Sequence, residues 1–299
     1  MIEPVENQRE PMKDTASLLE VAITSHQQNE LENAETLYAT ILALEPNHFV
    51  ATHLLGVLKN QRGDFQAAAQ LLTEALRLNP RSAMAHLNMG ITLWKLNRSE
   101  EALRHYQYSL ILKPDHPETL MNYALAFHSL HRNEEALASL DKLLAILPEA
   151  PDALLNRGII LQELHRPGDA LISFERALAV NPEDPGILLN LGIALGELNR
   201  PQEAIARFDQ ALTNQPDFPE ALYHRGFVMH GQGRYEAALA DYQGALTLRP
   251  QWTDALANRA TVLHLTHRYE EALAHLEQVL VISPDLPVGL LNCGIVLRD

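Results

Sequence analysis

The chain has 299 residues, and its 38 acidic side chains outnumber its 23 lysines and arginines, which gives a formal net charge of −15. A field of this sign repels nucleic-acid backbones and anionic membranes, so we expect neither as a partner. The single cysteine, Cys293, excludes an intrachain disulfide framework and fits a reducing compartment. No apolar run is long enough to span a membrane, and residues 1–14 lack the apolar core of a signal peptide. The sequence therefore predicts a cytoplasmic protein.

Residues 1–14 are polar and charged and are predicted to form a disordered tail. From residue 15 onward, the sequence repeats with a period of 34 residues. A proline closes each unit, at Pro46, Pro80, Pro114, Pro148, Pro182, Pro216, Pro250 and Pro284. An alanine stands twelve residues before each proline, at Ala34, Ala68, Ala102, Ala136, Ala170, Ala204, Ala238 and Ala272. A second row of small residues is Ala22, Gly56, Gly90, Ala124, Gly158, Gly192, Gly226, Ala260 and Gly294. The chain is thus predicted to be an uninterrupted repeat array.

Each unit contains two stretches of apolar residues at helical spacing, which predicts two helices per repeat. Between them stands a residue of a type that tolerates a left-handed backbone: Asn29, Gly63, Asn97, His131, His165, Asn199, Gly233 or His267. Large side chains of the second helix are expected to pack beside the small residues of the first: Tyr38, Leu72, Tyr106, Leu140, Phe174, Phe208, Tyr242 and Leu276. In five units a second proline follows the first after three residues, where it can begin the next helix.

This period, with small residues in both helices and a closing proline, resembles the tetratricopeptide repeat. The resemblance implies an all-α fold, an α-solenoid of antiparallel helix pairs wound into a right-handed superhelix. The predicted array contains eight repeats and the first helix of a ninth, with bounds 15–48, 49–82, 83–116, 117–150, 151–184, 185–218, 219–252, 253–286 and 287–299. Residues 15–299 are read as one array with no internal linker.

The ends of the array depart from the pattern. The first helix of repeat 1 carries a polar run, Thr24 to Gln28, as a terminal cap requires. The partial ninth repeat, 287–299, is nearly continuous in apolar residues. We expect this apolar surface to be covered, by self-association or by further chain.

The sixth position of each first helix forms a row that is mostly asparagine: Glu20, Leu54, Asn88, Asn122, Asn156, Asn190, His224, Asn258 and Asn292. Asparagine is a mediocre helix former, so its recurrence inside helices is not explained by propensity. A carboxamide offers both an acceptor and donors, the complement of a peptide unit, so a spaced row can hold an extended chain. The alternative is that each asparagine bridges neighbouring helices. The candidate peptide-binding residues are these six asparagines together with His224 and Trp94, a possible aromatic anchor or a packing residue.

Strings such as Leu87-Asn88-Met89-Gly90 and Leu189-Asn190-Leu191-Gly192 are similar to the repeats of O-GlcNAc transferases. In that family the corresponding asparagines line the inner surface of the superhelix and bind the backbone of protein substrates. The resemblance extends this role to Asn88, Asn122, Asn156, Asn190, Asn258 and Asn292, but not to Glu20, Leu54 or His224, which depart from the motif.

Two sets of arginines are interpreted as structural. Arg157, Arg225 and Arg259 stand beside the small residue of the first helix and are expected to form ion pairs with acids of second helices, among Asp141, Glu175, Asp209 and Glu277. A second set follows the turn residue, at Arg98, Arg132, Arg166, Arg200, Arg234 and Arg268, just ahead of acids such as Glu100, Glu134, Glu203, Glu236 and Glu270.

The sequence contains no pattern typical of catalysis. The pairs His128 with His131 and His264 with His267 have metal-ligand spacing, but the second histidine of each is the turn residue, so no metal site and no cofactor are expected. No phosphate loop or nucleophile motif is present, and the chain is predicted not to be an enzyme.

Two classes of function stay open. The first is a scaffold that binds extended segments of partner proteins in a groove through the asparagine row. The second is the substrate-recognition arm of an O-GlcNAc transferase-like enzyme whose catalytic domain would lie beyond residue 299.

Overall fold

The computed structural model describes residues 14–283, which form helices joined by short turns, without a strand. Residues 1–13 of the expected tail and the partial repeat 287–299 lie outside the described residues. The described residues divide into two compact units, 14–146 and 147–283. The described helices of the first unit are α1 Thr15–Gln27, α2 Leu31–Leu44, α3 Phe49–Gln61, α4 Phe65–Leu78, α5 Ala83–Lys95, α6 Ser99–Leu112, α7 Pro117–Ser129 and α8 Asn133–Ile146. Those of the second are α9 Pro151–Glu163, α10 Pro167–Val180, α11 Pro185–Glu197, α12 Pro201–Asn214, α13 Pro219–Gly231, α14 Tyr235–Leu248, α15 Thr253–Leu265 and α16 Tyr269–Ile282.

Within each unit, every helix packs on the helix that precedes or follows it in the chain. The contact within a pair, such as α9 with α10, is more extensive than the contact between pairs, such as α10 with α11. The first helices of successive pairs also touch directly, as α9 does with α11. For the described residues, the predicted all-α architecture of consecutive helix pairs is confirmed.

The turn inside each pair has the left-handed backbone that its residue type predicts. The angle φ is positive at all eight predicted positions, from +56° at His165 to +81° at Gly63. After His165, the N–H of Arg166 donates to the carbonyl of Leu161 at 2.8 Å, which closes the end of α9. The left-handed residue thus ends the first helix and reverses the chain within a few residues.

The two helices of a pair come close because a small residue faces a large side chain. A Cβ atom added to Gly158 would lie 2.3 Å from the ring of Phe174, and one added to Gly192 would lie 2.5 Å from the ring of Phe208. Both rings are fully buried. In the same register, Ala124 and Ala260 stand with leucines, at Leu140 and Leu276. The predicted pairing of small and large residues is therefore present, and the ring occupies the space that glycine leaves.

Helix starts use two devices. The second prolines stand at the first positions of α7, α9, α11 and α13, as predicted. Five second helices are directly preceded by an arginine that pairs with an acid three residues later, with N···O distances of 2.6 to 2.9 Å: Arg98 with Glu101, Arg132 with Glu135, Arg166 with Asp169, Arg200 with Glu203 and Arg268 with Glu271. These arginines were expected to stand just ahead of acids at the start of the second helix, with no pairs assigned. In the structure the partner is Glu203 for Arg200, and Arg98, Arg132 and Arg268 pair with Glu101, Glu135 and Glu271. The ion pair forms with the acid three residues later because side chains at this spacing lie on the same face.

Each of the arginines beside the small residues contacts the second helix of its own pair. Arg225 forms ion pairs with Asp241 at 2.6 Å and with Asp209 at 2.5 Å, of which only Asp209 was predicted. Arg157 donates to the hydroxyl of Ser173 at 2.8 Å. Arg259 contacts the imidazole of His275, because this histidine stands where the preceding repeat has Asp241.

Candidate functional site

The asparagine row lies on first helices that are neighbours in space within each unit. In the first unit α3 touches α5 and α5 touches α7, and in the second unit α9, α11, α13 and α15 touch in succession. Each row residue of these helices from Asn88 to Asn258 is partly accessible. Each unit therefore presents its part of the row on a side-by-side set of helices.

Three asparagines bond to the backbone of their own helix. The Nδ2 atoms of Asn122, Asn156 and Asn190 each donate at 2.8 Å to the carbonyl four residues earlier, on Glu118, Asp152 and Gly186. A carbonyl oxygen can only accept, so the amide nitrogen must face the helix, and Oδ1 is turned the other way. In all three side chains, this hydrogen bond directs Oδ1, and the second hydrogen of Nδ2, away from the backbone.

Two other asparagines bridge to the first helix of the preceding pair. The amide of Asn88 lies 2.9 Å from Nε2 of His53, and Asn258 donates to the hydroxyl of Tyr223 at 2.8 Å. These two asparagines thus bridge neighbouring helices. Asn292 lies outside the described residues.

A simple sequence signal separates the two groups. The partner of each bridging asparagine stands 35 residues earlier and carries a polar atom. At the same spacing before Asn122, Asn156 and Asn190 stand Leu87, Met121 and Leu155, which cannot accept a hydrogen bond of this strength. The asparagine row by itself does not distinguish bridging from non-bridging side chains. The residue 35 positions earlier, in the preceding repeat, does distinguish them.

His224 occupies the row position on α13. Burial lowers the pKa of its imidazole, so the ring is neutral near pH 7. The ring stacks on Phe208 with a centroid distance of 6.3 Å and meets Tyr223 edge-on at 5.1 Å. His224 is therefore an aromatic, uncharged element of the row.

Trp94, near the end of α5, is half-buried, and the ammonium group of Lys95 lies 5.0 Å from its ring centroid. The accessible part of the indole agrees with either of the roles considered for it, an anchor or a packing residue.

A cavity of about 410 Å³ opens between α11, α12 and α13, on the face that carries the row. Its walls include Ile193 and Gly196 of α11, Phe208 of α12, and His224, Phe227 and Val228 of α13. Of these residues, only His224 was among the candidates predicted from the sequence, and the cavity itself was not predicted.

The described residues contain no cluster of three or more side chains able to hold a metal ion. The imidazole of His267 lies 2.7 Å from the hydroxyl of Tyr269. None of the helices in residues 14–283 combines the length and the apolar character that a membrane crossing requires.

Comparison with protein-family models gives matches to the tetratricopeptide repeat along most of the chain. One model matches residues 26–83, 53–117, 87–153 and 189–253, and two others match 149–217 and 229–288. A search of curated proteins found no sequence match.

Similar solved structures share this architecture at low identity. The Cut9–Hcn1 hetero-tetramer of APC/C matches with a TM-score of 0.66 and 19% identity over 95% of this chain, which spans 56% of that one. A tetratricopeptide repeat protein from Parabacteroides merdae matches with a TM-score of 0.60 and 20% identity, over 79% of this chain and 93% of its own. YrrB, described as a repeat protein with an unusual peptide-binding site, matches with a TM-score of 0.55 and 24% identity, over 63% of this chain and 97% of its own. With the family-model matches and the helix pairs in agreement, the chain belongs to the tetratricopeptide repeat family.

Proposed function

We propose that this protein is a non-catalytic interaction scaffold that binds an extended segment of a partner protein along its first helices. The observation that carries the proposal is the orientation of Asn122, Asn156 and Asn190, whose amides point an acceptor and a donor away from their own helix. The family supports it, since YrrB is described as having a peptide-binding site and Cut9–Hcn1 as part of an assembly.

The chemistry of recognition follows from the amide. Oδ1 accepts from a backbone N–H of the ligand, and the free hydrogen of Nδ2 donates to a backbone carbonyl. In the second unit, Asn156 and Asn190 lie on the touching helices α9 and α11, so they can contact successive stretches of one extended chain. The neighbouring Leu155, Leu189 and Ile193 are half-buried and add apolar contact. Such a site grips backbone and places few demands on ligand side chains.

The bridging asparagines have a different role in this proposal. Asn258 already donates to Tyr223, and Asn88 is engaged with His53, so both tie neighbouring repeats together. They stabilise the face and contribute less to the ligand than the three open amides do. The role of substrate-recognition arm of an O-GlcNAc transferase-like enzyme stays a prediction from sequence resemblance.

The test starts from peptides selected on the intact protein from a random display library, whose affinities are then measured by calorimetry. Replacing Asn156 and Asn190 together with alanine removes about two neutral hydrogen bonds of about 1 kcal/mol each, so Kd should rise about tenfold to thirtyfold. Asn258→Ala is the matched control, because it should lower thermal stability more than affinity. Circular dichroism checks that the helices stay formed.

A second arm probes the ligand. Methylation of the peptide nitrogens that face the open amides removes the N–H donors and should weaken binding to the parent protein, but should have little further effect on the double variant. Unchanged affinity of the double variant, with helicity retained, would contradict the proposal.

A further inference from the structure

Three residues that line the cavity between α11 and α13 depart from the repeat pattern. Position 196 is glycine, whereas the same register elsewhere carries larger side chains: His26, Asn60, Trp94, His128, Gln162, His230 and His264. Position 231 is also glycine, whereas the other repeats have Gln27, Gln61, Lys95, Ser129, Glu163, Glu197 and Leu265. Position 227 is phenylalanine, in a row that is otherwise aliphatic or threonine.

The three departures converge on one space. Gly196 and Gly231 both line the cavity, together with Phe227. A Cβ atom added to Gly196 would meet Val228 at 3.6 Å, an ordinary contact, and one added to Gly231 would meet nothing within 4 Å. Neither glycine is therefore required by close packing, unlike Gly158 or Gly192. Their effect is to leave the cavity open.

The cavity lies beside the open amides. On α11, Asn190, Ile193 and Glu197 share one face at helical spacing, and on α13, His224, Phe227 and Gly231 do the same. The side chain of Phe227 is 53% exposed, an unusual state for a large aromatic residue beside a cavity. A chain held by Asn190 would thus pass over the cavity.

We propose that this cavity receives one large apolar side chain, preferably aromatic, from an extended basic segment of the partner protein. This inference rests on the proposed function and adds a specificity pocket to it. The volume, about 410 Å³, falls within the range of small-molecule sites and is large enough for an aromatic ring, and the walls at Ile193, Phe208, Phe227 and Val228 are apolar.

The segment is proposed to be basic because the charges around the cavity are mainly negative. The acidic residue among the described lining residues is Glu197, which is exposed and accepts a hydrogen bond from Gln162 at 3.4 Å. His224 is neutral because its pKa is lowered by burial, and Arg225 on the same helix is balanced by Asp209 and Asp241. The chain as a whole carries −15. Of the nearby cations, Arg200 is paired with Glu203, and Arg234 stands three residues after Gly231. Lysine or arginine beside the inserted side chain is expected to be attracted by Glu197 and by the negative charge of the chain.

Three short peptides test the proposal: blocked Gly-Lys-Phe-Lys-Gly, its alanine version Gly-Lys-Ala-Lys-Gly and its acidic version Gly-Glu-Phe-Glu-Gly. Each is titrated into the full chain with labelled isoleucine and valine methyl groups, and the methyl signals of Ile193 and Val228 are followed by NMR. The first peptide should shift both signals to saturation. The alanine version should bind at least about tenfold more weakly because the buried ring is lost, and the acidic version should also bind more weakly.

Two variants localise the effect. Gly196→Leu fills the cavity from a position where a Cβ fits, and it should abolish the methyl shifts. Gly196→Ala is the matched control, since it adds one methyl group, keeps most of the cavity and favours the helix. Absence of saturable shifts in the parent protein, or equal shifts in Gly196→Leu, would overturn the proposal.

The two proposals fail separately. If selected peptides bind in a manner that depends on Asn156 and Asn190 while the phenylalanine peptide leaves Ile193 and Val228 unshifted, only the cavity proposal is wrong. If the phenylalanine peptide binds equally well to the double asparagine variant and no selected peptide depends on the amides, the cavity stands and the backbone-binding proposal is wrong.

Discussion

Arg225 is a half-buried cation balanced by two carboxylates of unequal burial. The side chain of Asp241 is 7% exposed, while that of Asp209 is 54% exposed. Hydrogen bonding to Asp241 is the main reason that the pKa of Arg225 is raised. Removing a buried carboxylate costs more stability than removing an exposed one, because water does not screen the arginine charge that then lacks its partner.

We expect Asp241→Asn to lower the free energy of unfolding by about 3 kcal/mol and Asp209→Asn by less than about 1 kcal/mol. Denaturant unfolding followed by circular dichroism measures both. Arg225→Leu restores the apolar residue that other repeats have here, as at Leu191, and should make Asp209→Asn silent. Equal effects of the two aspartate variants would contradict the ranking.

His105 and His86 form a close imidazole pair on α6 and α5, with their Nδ1 atoms 3.1 Å apart. Burial, followed by the neighbouring His86, lowers the pKa of His105 from 6.5 to about 4. Between these pH values His105 takes up a proton in the unfolded chain but not in the folded chain. Its contribution to the free energy of unfolding is therefore fully present above pH 6.5 and is lost as the pH falls from 6.5 to about 4.

The expected loss due to His105 is at most about 3 kcal/mol when the pH has fallen to about 4. His105→Gln cannot take up this proton, so its stability should fall less over the same window. Melting temperatures of parent and variant, compared above pH 6.5 and near pH 4, measure the contribution of this histidine together with that of its contact with His86. Parallel pH profiles would show that His105 titrates normally.

At the scale of the helix pair, the close approach of α9 and α10 depends on Gly158. An added Cβ would overlap the Phe174 ring, and overpacking of this kind costs about 1 to 3 kcal/mol, more than alanine gains in helix propensity. We expect Gly158→Ala to destabilise the protein and Phe174→Leu to rescue it, since alanine stands with leucine at Ala124 and Leu140. Thermal melts of the two single variants and the double variant check this. A stabilised Gly158→Ala would mean that the ring has room to move.

The helix pairs were predictable because they depend on local chemistry repeated at a fixed period. A left-handed turn at His165 and a small residue at Gly158 can each be inferred from residue type and spacing. The roles of the asparagines were not, because Asn258 and Asn190 look alike until the residue 35 positions earlier is considered, Tyr223 in one case and Leu155 in the other. The cavity was not predictable from the sequence, because its prediction requires knowing that residues 196, 227 and 231, from two repeats, lie around one space.

At the scale of the whole molecule, each of the two units is held together by contacts between helices that are close in sequence. Stability of such arrays is approximately a sum of repeat terms and nearest-neighbour terms, so a change in one repeat should act locally. The two tryptophans report on this directly, because Trp94 lies in the first unit and Trp252 in the second.

Single-tryptophan variants, Trp94→Phe and Trp252→Phe, therefore follow one unit each by fluorescence during urea unfolding. Leu72 is fully buried in α4 of the first unit, and Leu72→Ala should cost about 3 kcal/mol there. We expect it to lower the midpoint reported by Trp94 and to leave that of Trp252 nearly unchanged. Leu276→Ala, which empties the corresponding fully buried position of α16 in the second unit, should do the reverse. Equal shifts of both reporters in both variants would show that all repeats unfold in one cooperative step, because a local loss of packing would then lower the stability of the entire chain.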